Sequence, residues 1–258
     1  MKVSIVIPAY NEEAIIGPCI EAVRRAVEHA ELQEGEYEII VVNNASTDRT
    51  REVASAYAVR VVDESWKGLT RAKQAGLKAA RGELIAHPDA DTLMPKDWLR
   101  KALTEFERHP KLVALSGPYI YYDLSPYHQF LTKAWLGAGF VFHLIIRDIL
   151  RQGAMVQGGN YIARRDALLR IGGYDTSIEF YGEDFDIARR LSAVGKVKWT
   201  WKFPMYSSGR RLAKEGVLKT AFNYGLNNMA STFLKRPVSM TYTDVRPAAN
   251  NLDNEQEE

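Results

Sequence analysis

"KVSIVIPAYNEE", residues 2–13, decides the fold. From Val3 to Pro8 the run is almost continuously apolar and rich in β-branched residues. Such a run suits a strand buried on both faces, which belongs in a parallel sheet covered by helices. Polar residues follow at once, so the strand must open into a loop at its carboxyl end.

The same grammar recurs downstream. "EEAIIGPCIEAVRRAVEHA" (12–30) has helical spacing, with Gly17-Pro18 perturbing its first turns, and "YEIIVVN" (37–43) is a second strand. "STDRTREVASAYA" (46–58) reads as a helix capped by Ser46, Thr47 or Asp48. "VRVVD" (59–63) is a third strand, and "LTRAKQAGLKAAR" (69–81) a helix ended by Gly82. "ELIAHPD" (83–89) is a fourth strand, and "PKDWLRKALTEFERH" (95–109) a helix with Pro95 at its start. Repeated strand–helix alternation predicts an α/β fold with a mostly parallel sheet flanked by helices. Ligands of such sheets sit at the carboxyl ends of the strands. The loops there, "PAYNEE", "NNASTD", "DESWKG" and "HPDADT", are all polar and should make one site.

After residue 112 the alternation stops. "LVALSGPYIYY" (112–122) reads as a strand followed by an irregular aromatic stretch, and residues 127–151 as a helix. "AMVQGGNYIARR" (154–165) is a strand carrying a glycine pair, "GEDFDIARRLSAVG" (182–195) a helix, and "KVKWTWKF" (196–203) a further strand. Leu218, Phe222, Met229 and Phe233 lie at helical spacing, which predicts an amphipathic helix over 212–234. The acidic, polar end of the chain reads as disordered. The expected division is a main domain over 1–205, with halves of about 1–117 and 118–205, a helical extension over 206–245, and a tail over 246–258.

Composition narrows the classes. The chain has 258 residues and 46% hydrophobic content, enough for one large domain or a domain with an appendage. A formal charge of +2 gives no general case for nucleic acid. One cysteine, Cys19, excludes a disulfide framework, and no Cys/His cluster has zinc spacing. Met1 and Lys2 lead directly into a strand without a cleavage pattern, which predicts a cytoplasmic chain. "AWLGAGFVFHLII" (134–146) is too short to span a bilayer and reads as a core or interfacial helix.

Two carboxylate pairs stand out. "PAYNEE" lacks the glycines of a dinucleotide turn, and no P-loop occurs, so a nucleotide must be held by another route. Asp89 and Asp91 sit two positions apart at a strand end, where alternate side chains point the same way. They offer hard oxygen ligands for Mg²⁺ or Mn²⁺, or else they are solvated residues capping the next helix. Glu183 and Asp184 follow Gly182 at a helix start. Acids there favour the helix dipole, and one of them could instead serve as a general base.

Taken together, the motifs resemble the family 2 glycosyltransferases of GT-A fold. The matching stretches are "VSIVIPAYNEE", "EIIVVNNASTDRT", "KGLTRAKQAGLKAARGELIAHPDADT", "GGNYIARRDALLRIGGYD" and "GEDFDIARRL", in the family's order over roughly residues 2–200. The resemblance implies an inverting transfer of a sugar from a UDP- or GDP-sugar donor, with Mn²⁺ or Mg²⁺. It assigns Pro8, Ala9, Tyr10 and Glu12 to the cradle of base and ribose. Where the family has paired aspartates that read the base, this chain has Asn43 and Asn44, which both donate and accept. Lys67, Gly68 and Arg71 match the segment approaching the phosphates. Asp91 matches the direct metal ligand, with Asp89 beside it, and Asp184 the catalytic base, with Glu183 in support. Gly158, Gly159 and Asn160 fall where a strand approaches the donor sugar. Arg210 and Arg211 would clamp the diphosphate or are ordinary surface charge.

The acceptor side is less specified. Trp199 and Trp201 should share a strand face, as a sugar platform or as core. The aromatic, apolar segment from Tyr119 to Leu150, with Arg210, Arg211, Lys214 and Lys219, suits peripheral contact with an anionic inner membrane face and a lipid-linked acceptor. A hydrophobic subdomain or an oligomer interface reads the same residues equally well. The competing functions are transfer to a glycan or glycolipid hydroxyl, polyprenyl-phosphate sugar synthesis, and nucleotide-sugar binding without turnover.

Overall fold

The computed structural model describes residues 1–150, 155–178, 182–217, 219, 220, 222, 223 and 225, with side chains omitted for 142–150. The strands are β1 (Val3–Ala9), β2 (Tyr37–Asn44), β3 (Arg60–Glu64), β4 (Leu84–Pro88), β5 (Thr92–Leu93), β6 (Leu112–Ser116), β7 (Tyr119–Tyr121), β8 (Asn160–Arg164), β9 (Lys196–Trp199) and β10 (Met205–Ser207). The helices are α1 (Ile16–His29), α2 (Thr50–Ser55), α3 (Leu69–Ala79), α4 (Trp98–Arg108), α5 (Pro126–Leu150), α6 (Arg165–Arg170), α7 (Glu183–Ser192) and α8 (Arg210–Glu215).

Seven strands form the main sheet in the order β3-β2-β1-β4-β8-β6-β9. β1, β2, β3 and β4 run parallel, and β8 enters antiparallel between β4 and β6. The expected mostly parallel sheet is what the chain builds, made mixed by the antiparallel β8. Every residue of β1 is buried, as its apolar run requires. Val3, Ile5, Ile7 and Ala9 face a core shared with α1 and α4, and Val6 faces the opposite core, shared with α3 and α7. Fully burying one such aliphatic side chain contributes about 1.5–3 kcal/mol, so this strand anchors both layers.

A second sheet, β5-β10-β7, lies at the carboxyl edge of the first. β10 pairs antiparallel with β5 and parallel with β7. The aromatic stretch expected to be irregular is therefore partly strand, because β10 returns from a remote part of the chain to supply its partners.

Other boundaries differ from the sequence reading. α3 ends at Ala79, and Ala80 is extended, so Gly82 is not a helix cap. Gly82 instead packs against β1, where a Cβ would sit 2.4 Å from the Ser4 amide nitrogen. α4 starts at Trp98, three residues after Pro95, with the Trp98 N–H donating to the Pro95 carbonyl at 3.0 Å. α2 starts at Thr50, whose N–H donates to Asp48 at 2.9 Å. The helix expected over 212–234 begins at Arg210 and breaks at Gly216, whose φ of +86° is left-handed. Leu218, Met229, Phe233 and the 246–258 tail lie outside the described residues. Phe222 is exposed. Trp199 and Trp201 pack edge to face at 4.8 Å, with Phe140 of α5 against both, and Trp201 stays largely exposed. No helix among the described residues is long and apolar enough to cross a membrane.

Candidate active site

Parallel pairing brings the ends of β1, β2, β3 and β4 to one edge of the sheet. Pro8 and Ala9 end β1 within the sheet, beside Val42 and Asn43 of β2, and Tyr10 emerges beyond them. The Lys67 ammonium lies over the Tyr10 ring, 3.9 Å from its centre. Arg71 is exposed on the first turn of α3.

The two asparagines have different jobs. Asn44 is buried and uses both ends of its amide on the loop after β3. It donates to the Trp66 carbonyl at 2.7 Å and accepts from the Gly68 N–H at 2.8 Å. Gly68 holds a φ of +154° there. Asn43 donates to Asp63 at 2.9 Å, and Asp63 is also held by Arg51. The Asn43 carbonyl oxygen is buried with no hydrogen-bond partner among the described residues. The loop that Asn44 organises carries Trp66, which is 72% exposed.

At the end of β4 the chain turns, with the Thr92 N–H and hydroxyl both donating to the Asp89 carbonyl. Asp89 and Asp91 then reach different neighbours. Asp89 accepts from the Tyr119 hydroxyl at 3.2 Å. That hydroxyl in turn accepts from the Gly159 N–H at 2.6 Å. A Cβ on Gly159 would lie 2.1 Å from the Asp89 carboxylate, so only glycine leaves room for it. Asp91 meets Arg210 at 3.1 Å. The small second sheet makes this possible, because the Ser208 N–H donates to the Asp91 carbonyl and α8 starts two residues later. Arg210 also holds Glu12, which is only 4% exposed. Arg211 pairs with Glu215 on its own helix, at 3.1 Å.

The second acidic pair lies on the other side of the glycines. Gly182, left-handed at φ +88°, turns the chain into α7, and Glu183 is buried in the first turn. Glu183 accepts from Lys73 at 2.7 Å, and Lys73, fully buried on α3, also donates to the Gly158 carbonyl at 3.0 Å. A Cβ on Gly158 would fall 2.6 Å from Glu183. Asp184 is partly buried beside it. Burial and the Glu183 carboxylate push the Asp184 carboxyl up to about 7, against the pull of Lys73 and of two backbone N–H groups. Asp89 and Glu183 therefore border adjacent glycines, which brings the two acidic clusters to one loop. Asn160 is committed to the fold: it accepts from Trp98 and donates to the Pro118 and Phe203 carbonyls.

Lys73 and Tyr119 escape a motif reading. Lys73 had a signal, since it falls on the same helical face as Leu69, Gly76 and Leu77, where a lysine needs a partner. Tyr119 had none, because its role depends on a strand pairing made with β10.

As a ligand set, Asp89 and Asp91 supply hard carboxylate oxygens next to an open loop edge. That chemistry suits Mn²⁺ or Mg²⁺ shared with substrate phosphates. Among the described residues no cluster of three or more His, Cys, Asp or Glu forms a complete metal cage.

Comparison with known proteins agrees with this architecture. The chain is 34% identical over 122 residues to the uncharacterized glycosyltransferase EpsJ of Bacillus subtilis (strain 168), covering 45% of this chain and 34% of that protein. It is 32% identical over 158 residues to a dolichol-phosphate mannosyltransferase of Pyrococcus furiosus, covering 58% of this chain and 43% of that protein. The chain thus spans less than half the length of either relative. Among solved structures, the mannosyltransferase PcManGT from Pyrobaculum calidifontis, in complex with GDP-Man and Mn²⁺, shares the fold with a TM-score of 0.64 at 20% identity. That match covers 91% of this chain and 63% of the other. Glucosyl-3-phosphoglycerate synthase from Mycobacterium tuberculosis, in complex with Mn²⁺, UDP and phosphoglyceric acid, has a TM-score of 0.60 at 21% identity, covering 90% and 78%. The model of the family described as Glycosyl transferase family 2 matches residues 4–172, from β1 through α6 and short of Glu183. On that match, which takes in β1, the polar loops, the Asp89–Asp91 turn and the glycine pair, the chain belongs to glycosyl transferase family 2.

Proposed function

We propose that this chain transfers a sugar, with inversion, from a UDP- or GDP-sugar to an acceptor hydroxyl. The observation that carries this reading is the Gly158-Gly159 seam, with Asp89 against Gly159 and Glu183, the residue before Asp184, against Gly158. A donor sugar lying along that seam meets phosphate-binding chemistry on one side and a base on the other.

Each residue then has a task. Pro8, Ala9 and Tyr10 border the base and ribose. Asn43 offers its carbonyl oxygen to a base N–H, because its amide nitrogen is already committed to Asp63. Asn44 holds the Lys67–Gly68 loop in place rather than touching the base. Lys67 and Arg71 offset phosphate charge. Asp91 and Asp89 would hold Mn²⁺ or Mg²⁺, which when bound neutralises charge on the diphosphate. Arg210, seated on Glu12 and Asp91, adds a guanidinium at the same edge.

Asp184 is the base. It accepts the proton of the acceptor hydroxyl while that oxygen bonds to the anomeric carbon and the nucleoside diphosphate departs from the opposite face. A carboxyl poised near 7 has the basicity this step wants at neutral pH. A hydroxyl acceptor is favoured over a phosphate for the same reason, since a phosphate oxygen needs no deprotonation.

The test is a thermal-shift panel of nucleoside diphosphates with and without Mn²⁺, followed by release of nucleoside diphosphate from the matching sugar donor. Stabilisation by UDP or GDP that requires the metal, and turnover lost in Asp184→Asn with donor binding kept, support the reading. Binding indifferent to metal together with full activity in Asp184→Asn would overturn it.

A further inference from the structure

Lys73 is a fully buried lysine that no phosphate-binding role explains. It leaves α3 on the side facing the sheet and reaches two groups outside its own helix, the Glu183 carboxylate at 2.7 Å and the Gly158 carbonyl at 3.0 Å. Its ammonium also lies 5.7 Å from the centre of the Tyr161 ring. Glu183 is 6% exposed, and its second oxygen has no hydrogen-bond partner among the described residues. A buried pair of this kind contributes little net stability against its desolvation cost, so its presence calls for another reason.

We infer that Lys73 is a positioning residue for the transfer. By joining the first turn of α7 to the Gly158 carbonyl, it fixes where the Asp184 carboxylate stands relative to the glycine seam, and its charge offsets that of Glu183 beside the base. This rests on the reading of Asp184 as the base. Three segments remote in sequence, α3, the 157–159 loop and the start of α7, meet at this one nitrogen.

The electrostatics of the pocket agree. Burial opposes the Lys73 charge, but the carboxylates of Glu183 and Asp89 outweigh it and hold the ammonium above the ordinary lysine range. Around Asp184, burial first and then the Glu183 charge raise its carboxyl, and the Lys73 charge lowers it. Arg190, paired with Asp186 on α7, faces Tyr174 from the same helix, while two tyrosines and a histidine packed here stay neutral near pH 7. Burial raises the Tyr161 and Tyr174 hydroxyls and lowers the His87 ring, which stacks on Tyr161. Burial thus sets most of the rise at Asp184, and the balance between Glu183 and Lys73 adjusts it.

The experiment is a carboxyl NMR titration of the full chain with isotope-labelled aspartate, in wild type, Glu183→Gln and the double variant Lys73→Met/Glu183→Gln. Asp184 is assigned by its absence from Asp184→Asn. In Glu183→Gln the Lys73 charge is no longer opposed, so the Asp184 titration moves to lower pH by roughly one unit or more. Removing Lys73 as well brings it back up. The acid limb of donor hydrolysis, with water as acceptor, follows the same order. A titration unmoved in Glu183→Gln overturns the inference even if the double variant does not fold, and so does one that fails to rise again in a folded double variant. If the titration moves as expected while Asp184→Asn still turns over donor, the base reading fails and the positioning role falls with it. A purely structural role would lower the melting temperature of these variants and leave the midpoint in place.

Discussion

Arg210 holds the carboxylate of Glu12 with two hydrogen bonds, at 2.9 and 2.5 Å, across 198 positions of sequence. The same guanidinium meets Asp91 at 3.1 Å. It therefore ties the loop after β1, the acidic turn after β4 and the start of α8 into one cluster. Burial opposes the arginine's charge, and the two carboxylates more than restore it.

Arg210→Met leaves Glu12 buried without its guanidinium. Removing one member of a buried ion pair costs about 3 kcal/mol or more, and the partial exposure of Arg210 puts this case at the low end. Replacing both charges, in Glu12→Gln/Arg210→Met, should recover more than half of that loss. Urea unfolding of the two variants measures the difference. Equal losses would mean that packing, not charge, carries the contact.

Gly159→Ala tests the seam. The new methyl group would stand 2.1 Å from the Asp89 carboxylate and 2.4 Å from the Tyr119 hydroxyl, so one of them must move. The expected result is a loss of activity of at least about a hundredfold, the scale of an ångström-sized misplacement, with weaker Mn²⁺ binding. Gly158→Ala presses instead on Glu183 and should leave Mn²⁺ affinity nearer to wild type. Calorimetric titration of Mn²⁺ in the presence of nucleoside diphosphate separates the two. Equal loss of metal binding in both variants would deny the division of the seam.

Asn44 and Asn43 should fail differently. Asn44→Ala removes two hydrogen bonds that shape the loop bearing Trp66 and Gly68, a net cost of about 1–3 kcal/mol. It should weaken all nucleoside diphosphates alike. Asn43→Ala removes the acceptor proposed for the base and should alter the ranking of UDP, GDP, CDP and ADP. A thermal-shift panel on both variants reads stability and ranking in the same assay. A changed ranking in Asn44→Ala would reverse the assignment.

How much of this was legible in the sequence depends on the range of the interaction concerned. The apolar run of β1 is local and demands burial on both faces, so the sheet and its polar edge follow from it. The acidic turn at Asp89–Asp91 and the start of α7 at Glu183 were equally visible, because each is written in consecutive residues. Gly82 misleads, because a glycine after a helix looks the same whether it caps or permits close packing. β5, β7 and β10 are two or three residues long, too short for a period to show, and exist only because remote segments pair. The Arg210–Glu12 and Lys73–Glu183 pairs are contacts of the folded chain alone, so motif order could not reveal that Glu12 is held by a cation.

Asp184 makes a last prediction in which stability and activity part company. Its carboxyl stands near 7 in the fold against an ordinary 3.8, so folding favours the protonated form. A carboxyl raised in this way contributes stability that is fully present below about 4 and is lost as pH rises toward 7. Asp184→Asn keeps the neutral shape at every pH. The variant should therefore exceed wild type at pH 8 by at most about 4 kcal/mol, and by less to the extent that solvent screens this partly buried carboxyl, with the advantage vanishing below about pH 4. Donor turnover should move the opposite way, falling at least about a hundredfold, the scale set by loss of a general base. Melting curves across pH, paired with nucleoside diphosphate release, test both halves. A variant no more stable at pH 8 than at pH 4, relative to wild type, would show that the site does not strain this carboxylate. A variant both more stable and inactive would mark Asp184 as a group kept charged at a cost to the fold, as catalytic residues often are.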